Sequence, residues 1–359
     1  MSYERANIRR MHGYVWGEQP DDARVIKLNT NENPYPASPA VQAALSSMDV
    51  DALRRYPSPY AQAFRTAAAE AIGTHPDRII ATNGGDELLR LAITTFLDPG
   101  QALATTQPSY SLYPVLAAVQ DCPTIEYPLD DGFALPTDLA ARANADGAGL
   151  FCLVNPHAPS GQLWPVEAVA AMADTFNGVL LLDEAYVDFV DPAKGHNAVP
   201  LTERFENVLI LRSMSKGYAL AGLRFGFGIG HETLLEPMLT KTRDSYNVDH
   251  LAQTLAAAAI SDRAWAEDNH RAVREERERL AGELTRRGFA CAPSQTNFLL
   301  ATVPAGADAE ALKTGLDARQ ILVRHFDTPG LSDALRVTVG TPDEDRRLLA
   351  ALDALLGAS

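Results

Sequence analysis

Cysteine is scarce in this sequence, and long apolar runs are absent. The three cysteines, Cys122, Cys152 and Cys291, are far apart, and no two have the spacing of metal ligands. Such usage is typical of a reducing compartment, and Cys152 is expected to be a small core residue. No stretch reaches the roughly eighteen apolar residues of a membrane span, and the charged N-terminus lacks the apolar region of a secretory signal. We therefore predict a cytoplasmic protein with no bound metal and no membrane contact.

Positive charge is also in short supply. The 359 residues include 31 Lys plus Arg against 46 Asp plus Glu, a formal net charge of −15. This balance argues against nucleic acid or an anionic membrane as the main partner. Any bound anion must be held by a local cluster of donors. The hydrophobic fraction of 46% and the length favour an ordinary globular protein with one large and one smaller domain.

Over the first two thirds of the chain, short apolar runs alternate with helical patterns. Strands are predicted at 78–81, 102–105, 123–127, 150–154, 179–182, 208–211 and 225–229. Strands that are apolar throughout, separated by helices, indicate an α/β fold whose mostly parallel sheet is covered by helices on both faces. Because ligands bind at the carboxyl ends of such strands, the polar cluster that follows each strand marks a candidate site.

The texture of the sequence changes after about residue 245. A long helical stretch at 248–287 precedes short strands at 297–301, 321–324 and 335–339 and a final helix at 343–356. This pattern predicts a smaller α+β domain. We expect an N-terminal arm at 1–30, a large cofactor-binding domain at 31–245 and a small C-terminal domain at 246–359.

The segment VLILRSMSKGYALAGLRFG, residues 208–226, carries the most informative motif. A buried strand ends in a Ser-x-Ser turn that presents Lys216, and Arg224 follows eight residues later. The hydroxyls of Ser213 and Ser215 and the Arg224 guanidinium suit a dianionic phosphate, while the Lys216 amine suits attack on a carbonyl carbon. Taken alone, Lys216 is equally well interpreted as a solvated surface lysine.

Other strand ends carry candidates of the same kind. Asp183 ends a buried strand, where it is either a satisfied core or capping residue or the partner of a protonated ring nitrogen. Tyr186 is either a packed core tyrosine or a donor to the same ligand. Residues 83–86, NGGD, form a possible anion-binding helix start, although many such turns bind nothing. Tyr110, in a Pro-Ser-Tyr turn, could stack on a planar ligand or have no ligand at all.

Together, SMSKGYALAGLRFG, DEAY, NGGDE, QPSY, NPHAPSG and LNTNENPYP…RYPSPY resemble the fold-type I pyridoxal-phosphate aminotransferases. The resemblance is closest to the histidinol-phosphate aminotransferases and covers nearly the whole chain in the right order. It implies a transferase of histidine biosynthesis that passes the amino group of L-histidinol phosphate to 2-oxoglutarate. Alternatives are an aromatic amino acid aminotransferase, a decarboxylase of an amino-acid phosphate, and a non-enzymatic sensor, which would need a DNA-binding module that the chain has no room for.

The resemblance also implies a role for each matching residue. Lys216 would bind pyridoxal 5′-phosphate covalently and move the substrate's α-proton, Asp183 would hold the ring nitrogen, and Tyr186 would donate to the ring oxygen. The remaining positions divide into ring stacking (Tyr110), phosphate binding (Gly85, Asp86, Ser213, Ser215, Arg224), phosphate binding in the neighbouring subunit of a homodimer (Tyr56), and substrate binding (Arg336, Arg324, Tyr14, Asn33, Asn297).

Two positions depart from the family pattern. Ala158, in NPHAPSG, stands where the family has an asparagine that bonds the cofactor's ring oxygen, and Asn155 and His157 are the candidates to replace it. Trp16 stands where a proline is more usual, and it is expected to reshape the entrance of the pocket.

Overall fold

Two β-sheets organise the chain in the computed structural model, which describes residues 2–22, 24–328 and 330–357. The strands are β1 (Ile26–Leu28), β2 (Ile79–Thr82), β3 (Ala102–Gln107), β4 (Thr124–Pro128), β5 (Ala148–Val154), β6 (Val179–Asp183), β7 (Val208–Ser213), β8 (Gly226–Gly230), β9 (Ala290–Cys291), β10 (Phe298–Thr302), β11 (Ile321–His325) and β12 (Ala334–Thr338). Within the described ranges, no helix is both long and apolar enough to cross a bilayer.

The helices lie between and around these strands. They are α1 (Ala6–Arg10), α2 (Pro39–Ser46), α3 (Gln62–Ile72), α4 (Gly84–Phe96), α5 (Leu112–Val119), α6 (Leu139–Ala145), α7 (Val166–Thr175), α8 (Leu201–Arg204), α9 (Glu232–Pro237), α10 (His250–Ser261), α11 (Arg263–Arg286), α12 (Ala309–Asp317) and α13 (Pro342–Leu356). The sequence pattern does not indicate α1, α6, α8, α9 or α12.

The larger sheet has the strand order β2-β8-β7-β6-β5-β3-β4. Strands β3 to β7 pair in parallel, and β8 runs antiparallel to both of its neighbours. Successive residues of β5 alternate between two cores: Phe151 and Leu153 face one, and Leu150 and Cys152 face the other. The predicted mostly parallel sheet with helices on both faces is thereby confirmed, and Cys152 is a buried core residue as expected.

The smaller sheet has the order β1-β11-β12-β10-β9. Strand β1, from the predicted N-terminal arm, pairs in parallel with β11, with Ile26 opposite Ile321. The other strands pair antiparallel. Leu280 of α11, Leu312 of α12 and Leu348 of α13 join this sheet's core.

The helical stretch predicted at 248–287 is two helices, α10 and α11, separated at Asp262. The Asp262 carboxylate accepts a hydrogen bond from the Trp265 amide at 3.4 Å and another from the Ser38 hydroxyl. Asp262 has the non-helical backbone of an N-cap residue, with φ −86° and ψ 67°, so α10 ends where α11 begins. Ala252 and Ala256 of α10 pack into the core of the larger sheet. The domain boundaries at 30 and 245 stay predictions.

Candidate active site

The polar clusters named from the sequence follow neighbouring parallel strands. In the register of the larger sheet, Val154 lies opposite Asp183, and Asp183 lies opposite Leu211. The ends of β5 and β6 are therefore level, and β7 continues past them to Ser213. Because the three strands run in the same direction, the residues that follow them gather at one edge of the sheet.

Lys216 lies in the turn after β7 and is held at both its side chain and its backbone. Its ammonium donates to the Thr30 carbonyl at 2.9 Å, and its own carbonyl accepts from the Asn33 amide at 2.9 Å. Asn33 also donates to Asn269 on α11 at 2.8 Å. Burial, followed by the charge of Arg336, lowers the pKa of Lys216 to about 8. Because this pKa is about one unit above neutral pH, roughly a tenth of the amine is neutral and nucleophilic there.

Asp183 is a buried carboxylate at the end of β6. Its Oδ2 accepts from the Tyr113 hydroxyl at 2.7 Å, and its Oδ1 accepts from the Ala185 amide at 3.0 Å. Burial raises the pKa of Asp183 to about 6, although these two hydrogen bonds oppose the rise. No Lys, Arg or His within the described residues forms an ion pair with it. A cationic ring nitrogen is the kind of group that such a carboxylate lacks.

Tyr186 lies one turn beyond Asp183. Its hydroxyl oxygen accepts from the Asn31 side-chain amide at 3.0 Å, and its ring meets the Phe298 ring edge-on at 5.1 Å. Burial raises the pKa of the Tyr186 phenol, and the charge of Arg336 and the bond from Asn31 oppose that rise. The hydroxyl is therefore a neutral hydrogen-bond donor at physiological pH.

A set of donors that suits a phosphate in chemical type lies beside the start of α4. Arg224 pairs with Asp86 at 3.3 Å, and one of its nitrogens is 3.5 Å from the Ser215 hydroxyl. Ser213 accepts from the Ser215 amide at 3.1 Å. The first N–H groups of a helix lack partners within it, so Gly85 at the start of α4 adds backbone donors. A Cβ on Gly226 would come within 2.7 Å of this helix start, which explains the glycine there.

Two arginines lie side by side on the smaller sheet. Arg324 of β11 is directly opposite Arg336 of β12. Arg336 donates to the Asn29 carbonyl at 2.9 Å and lies over the Phe298 ring. Neither arginine pairs with a carboxylate among the described residues, and the Nε of Arg336 is buried without a partner. Burial lowers the pKa of Arg336, and Arg324 lowers it further. Adjacent cations without a counter-charge attract an anion.

The comparisons with known proteins agree with this geometry. Residues 23–352 match the family model for class I and II aminotransferases. The chain is 42% identical to histidinol-phosphate aminotransferase 1 of Trichormus variabilis over 99% of both chains, and 40% identical to the histidinol-phosphate aminotransferase of Syntrophotalea carbinolica over 98% of this chain and 99% of that one. The chain belongs to the class I and II aminotransferase family.

Solved structures agree at the level of the fold. The crystal structure of the Sinorhizobium meliloti histidinol-phosphate aminotransferase with pyridoxal-5′-phosphate matches with a TM-score of 0.90 and 23% identity, over 100% of this chain and 98% of that one. The prediction of a pyridoxal-phosphate-dependent aminotransferase of fold type I is confirmed.

The NPHAPSG loop of this aminotransferase leaves the position of Ala158 without a polar side chain. Ala158 is buried among apolar residues. The Asn155 side chain exchanges hydrogen bonds with the Trp164 backbone at 3.0 and 2.9 Å. His157 must donate from Nε2 to the Pro108 carbonyl, so its Nδ1 accepts from Ser160. Burial lowers the pKa of His157 to about 4. Both predicted substitutes are therefore engaged in local bonds.

The remaining predicted residues of the aminotransferase lie as follows. Tyr14 meets Tyr110 edge-on at 6.0 Å. The Asn297 amide donates to the Asn31 carbonyl at 3.0 Å, and its oxygen is buried without a partner. Tyr56 is 80% exposed and stacks on Tyr246, outside the cluster around Lys216. Trp16 is also exposed.

Sequence reasoning missed several residues that touch this site, namely Thr30, Asn31, Tyr113, Asn269 and Thr338. Each contacts a predicted residue or its immediate partner. Thr30 and Asn31 lie in LNTNENPYP, one of the motifs that carry the family resemblance, and its run of polar side chains is a signal in the sequence that could have identified them. Tyr113 follows QPSY by three residues but had no distinguishing pattern.

Proposed function

We propose that this aminotransferase takes its amino group from L-histidinol phosphate and passes it to 2-oxoglutarate, forming imidazole acetol phosphate and L-glutamate in histidine biosynthesis. The observation that carries the proposal is the Arg324–Arg336 pair, two neighbouring guanidinium groups without a carboxylate partner in the described ranges. A phosphate ester supplies the dianion that such a pair binds well. The relatives at 40–42% identity are named histidinol-phosphate aminotransferases, which supports this choice of donor.

The residues around Lys216 fit pyridoxal phosphate in chemical type. Asp183 is a buried carboxylate that suits a protonated ring nitrogen, and Ser213, Ser215, Arg224 and the helix start at Gly85 suit a phosphate. Tyr110 offers a ring face for stacking. When bound, the cofactor supplies an aldehyde that reacts with amines and a ring that withdraws electrons from the substrate's α-carbon.

We assign the protein groups the following roles. Lys216, with its pKa lowered to about 8, would bind the cofactor as a neutral amine and would later carry the proton that leaves the substrate's α-carbon. Asp183, when ionised, would keep the ring nitrogen protonated. Tyr186 would donate its hydroxyl hydrogen to the ring oxygen, where Ala158 offers no second donor. Tyr14, Asn33 and Asn297 shape the substrate side of the pocket.

We also propose that the enzyme is a cytoplasmic homodimer with composite active sites. The exposed apolar residues between 45 and 60 support association, since a cluster of this kind is unusual on a monomer. Tyr56 would then reach the cofactor phosphate of the neighbouring subunit. The three unpaired cysteines support a reducing compartment.

The test compares amino donors on the purified holoenzyme, with 2-oxoglutarate as acceptor. We expect glutamate formation with histidinol phosphate at a kcat/KM at least about 100-fold above that with phenylalanine or tyrosine, because only the phosphate ester engages both arginines. Equal rates with the aromatic amino acids would contradict the proposed donor. Release of carbon dioxide from an added amino-acid phosphate, without an oxo-acid acceptor, would indicate a decarboxylase instead.

Lys216→Ala is the control that tests covalent cofactor binding and transamination. We expect this variant to lose both the visible absorbance of covalently bound cofactor and all transamination. An active variant with an intact absorbance band would overturn the role of Lys216.

A further inference from the structure

One dipeptide in the loop after β1 contacts two functional groups of the site. The Thr30 carbonyl accepts from the Lys216 ammonium at 2.9 Å, and the adjacent Asn31 side chain donates to the Tyr186 hydroxyl oxygen at 3.0 Å. The second contact joins residues 155 positions apart in the chain. Asn31 is only 2% exposed, so water does not compete for this bond.

The direction of the Asn31–Tyr186 bond follows from the chemistry of the two groups. An amide nitrogen can only donate, so the Tyr186 oxygen accepts, and its own hydrogen remains available for another partner. Donation to a hydroxyl oxygen also strengthens that hydroxyl as a donor, because hydrogen bonds in a chain polarise one another. The bond from Asn31 therefore directs the Tyr186 hydrogen away from Asn31.

The orientation of the Asn31 amide is itself determined by its neighbours. The Thr338 hydroxyl accepts from the Asn31 backbone N–H at 3.0 Å and donates to Asn31 Oδ1 at 3.1 Å, which leaves Nδ2 for Tyr186. The Asn297 amide holds the Asn31 carbonyl at 3.0 Å. Asn31 has a φ of 56°, a left-handed conformation that asparagine tolerates better than most residues do.

We propose that Asn31 is a positioning residue that holds Tyr186 as a hydrogen-bond donor into the active site. This inference rests on the proposed role of Tyr186 toward the ring oxygen of the cofactor. Because Ala158 offers that oxygen no second donor, the oxygen would depend on Tyr186, and the bond from Asn31 is what holds Tyr186 in place for this role. It also makes the geometry of a catalytic tyrosine on the larger sheet depend on Thr338 of the smaller one.

The decisive variant is Asn31→Asp, which keeps the shape and the left-handed backbone but replaces a donor with an acceptor. Thr338 still donates to one carboxylate oxygen, and the other oxygen now draws the Tyr186 hydrogen to itself. The measurement is the pH midpoint of the visible absorbance change of the holoenzyme without substrate. We expect the midpoint to rise by about one pH unit, a tenfold change in proton affinity, because the ring oxygen loses its donor.

A double-mutant cycle separates this effect from the added negative charge. If Asn31 acts through Tyr186, Asn31→Asp should shift the midpoint by less than half as much in a Tyr186→Phe background. If Asn31→Asp shifts the midpoint equally with native Tyr186 and with Tyr186→Phe, its added negative charge explains the whole shift, and the inference is overturned. Asn29→Asp adds a carboxylate two residues away without contacting Tyr186, and we expect it to shift the midpoint less than Asn31→Asp does.

Thr338 provides a second test that introduces no charge. Thr338→Val removes the hydroxyl that orients the Asn31 amide, and Thr338→Ser restores it. We expect the midpoint to rise in the valine variant and to return in the serine variant, and identical midpoints would count against the inference. If Tyr186→Phe alone leaves the midpoint unchanged, the proposed role of Tyr186 fails, and the inference fails with it. If Tyr186→Phe raises the midpoint as expected but Asn31→Asp leaves it unchanged, the role of Tyr186 stands and only the inference about Asn31 is overturned.

Discussion

Asp183 is the residue at which burial and chemistry oppose each other most directly. A carboxylate removed from water favours its neutral form, and the pKa of about 6 reflects this. Only the ionised form can hold a cationic ring nitrogen. Tyr113, fully buried, and the Ala185 amide both donate to Asp183 and therefore favour the ionised form. We therefore expect the Tyr113 hydrogen bond to favour cofactor binding through its effect on Asp183.

Replacing Tyr113 with Phe should shift the pH dependence of cofactor binding by the apoenzyme. Affinity should fall as the pH drops through the pKa of Asp183, near 6 in the native protein. A hydrogen bond to a charged group contributes about 1.5–3 kcal/mol, so its loss should raise that pKa, and the pH of the fall, by about one unit or more. Equilibrium titration with pyridoxal phosphate between pH 5 and 8, values chosen to bracket the transition, measures the midpoint.

Tyr127 offers a matched control for this measurement. It is a buried tyrosine whose hydroxyl donates to an aspartate, Asp146, at 2.6 Å, remote from Lys216. Tyr127→Phe should leave the binding midpoint unchanged. Because the cofactor's own titration is common to all three proteins, only a difference between them reports on Asp183. Identical midpoints in Tyr113→Phe and the native enzyme would contradict the role given to Tyr113.

Elements differ in how well they could be predicted from the sequence. The strands β5, β6 and β7 are apolar on both faces, and each ends at a polar motif, so their existence and their common edge were predictable. The antiparallel direction of β8 was not, because it depends on the path of the long loop between β7 and β8, in which Arg224 adopts a left-handed conformation. The division between α10 and α11 required the capping contact of Asp262, which brings in Ser38 from far away in the chain.

Prediction of the site residues from the sequence is limited in the same way, by contacts between residues that are far apart in the chain. Lys216, Asp183 and Arg224 belong to local motifs, so their chemical roles can be predicted from the sequence. Asn31 and Tyr113 function through partners 155 and 70 residues away, and a local pattern carries no information about such a contact. Residues that position others are therefore the ones that sequence reasoning is most prone to miss.

Helices α11 and α13 meet at a pair of buried carboxyl groups. Asp345 of α13 is fully buried beside Glu276 of α11, and Glu276 is paired with Arg279. Asp345 accepts from the Gly340 amide at 3.1 Å, and its Oδ2 has no hydrogen-bond partner among the described residues. Burial, and then Glu276, raise the pKa of Asp345 well above its ordinary value of about 4.

This pair should make the protein less stable as the pH rises. The native state holds the Asp345 proton more tightly than the unfolded chain does, so its contribution is complete below about pH 4 and is lost as the pH rises through the higher folded pKa. Asp345→Asn cannot ionise and can still accept from Gly340. We expect its thermal unfolding midpoint to exceed that of the native apoenzyme at alkaline pH, with the difference shrinking as the pH falls. Asp343→Asn, an exposed change on the same helix, should give no such trend; parallel curves for Asp345→Asn would contradict the assignment.

At the scale of the whole molecule, Tyr56 is the predicted site residue whose proposed role requires a second subunit. Its ring is 80% exposed and stacks on Tyr246 at 4.5 Å. Val50, Leu53 and Tyr60 nearby are exposed as well. In a two-fold dimer the same surface of each subunit meets its copy, so one contact would serve both active sites.

Subunit mixing tests the proposed homodimer and its proposed composite site directly. Tyr56→Ala should weaken cofactor binding and activity, and Lys216→Ala should be inactive, so each homodimer alone is impaired. In a hybrid dimer, the subunit with native Lys216 receives native Tyr56 from the Lys216→Ala subunit, and one complete site forms. Random exchange makes half of the dimers hybrids with one of two sites complete, so activity should recover to roughly a quarter of the native value. Sedimentation checks that Tyr56→Ala is still dimeric, and a mixture no more active than the sum of its parts would mean that each subunit builds its site alone.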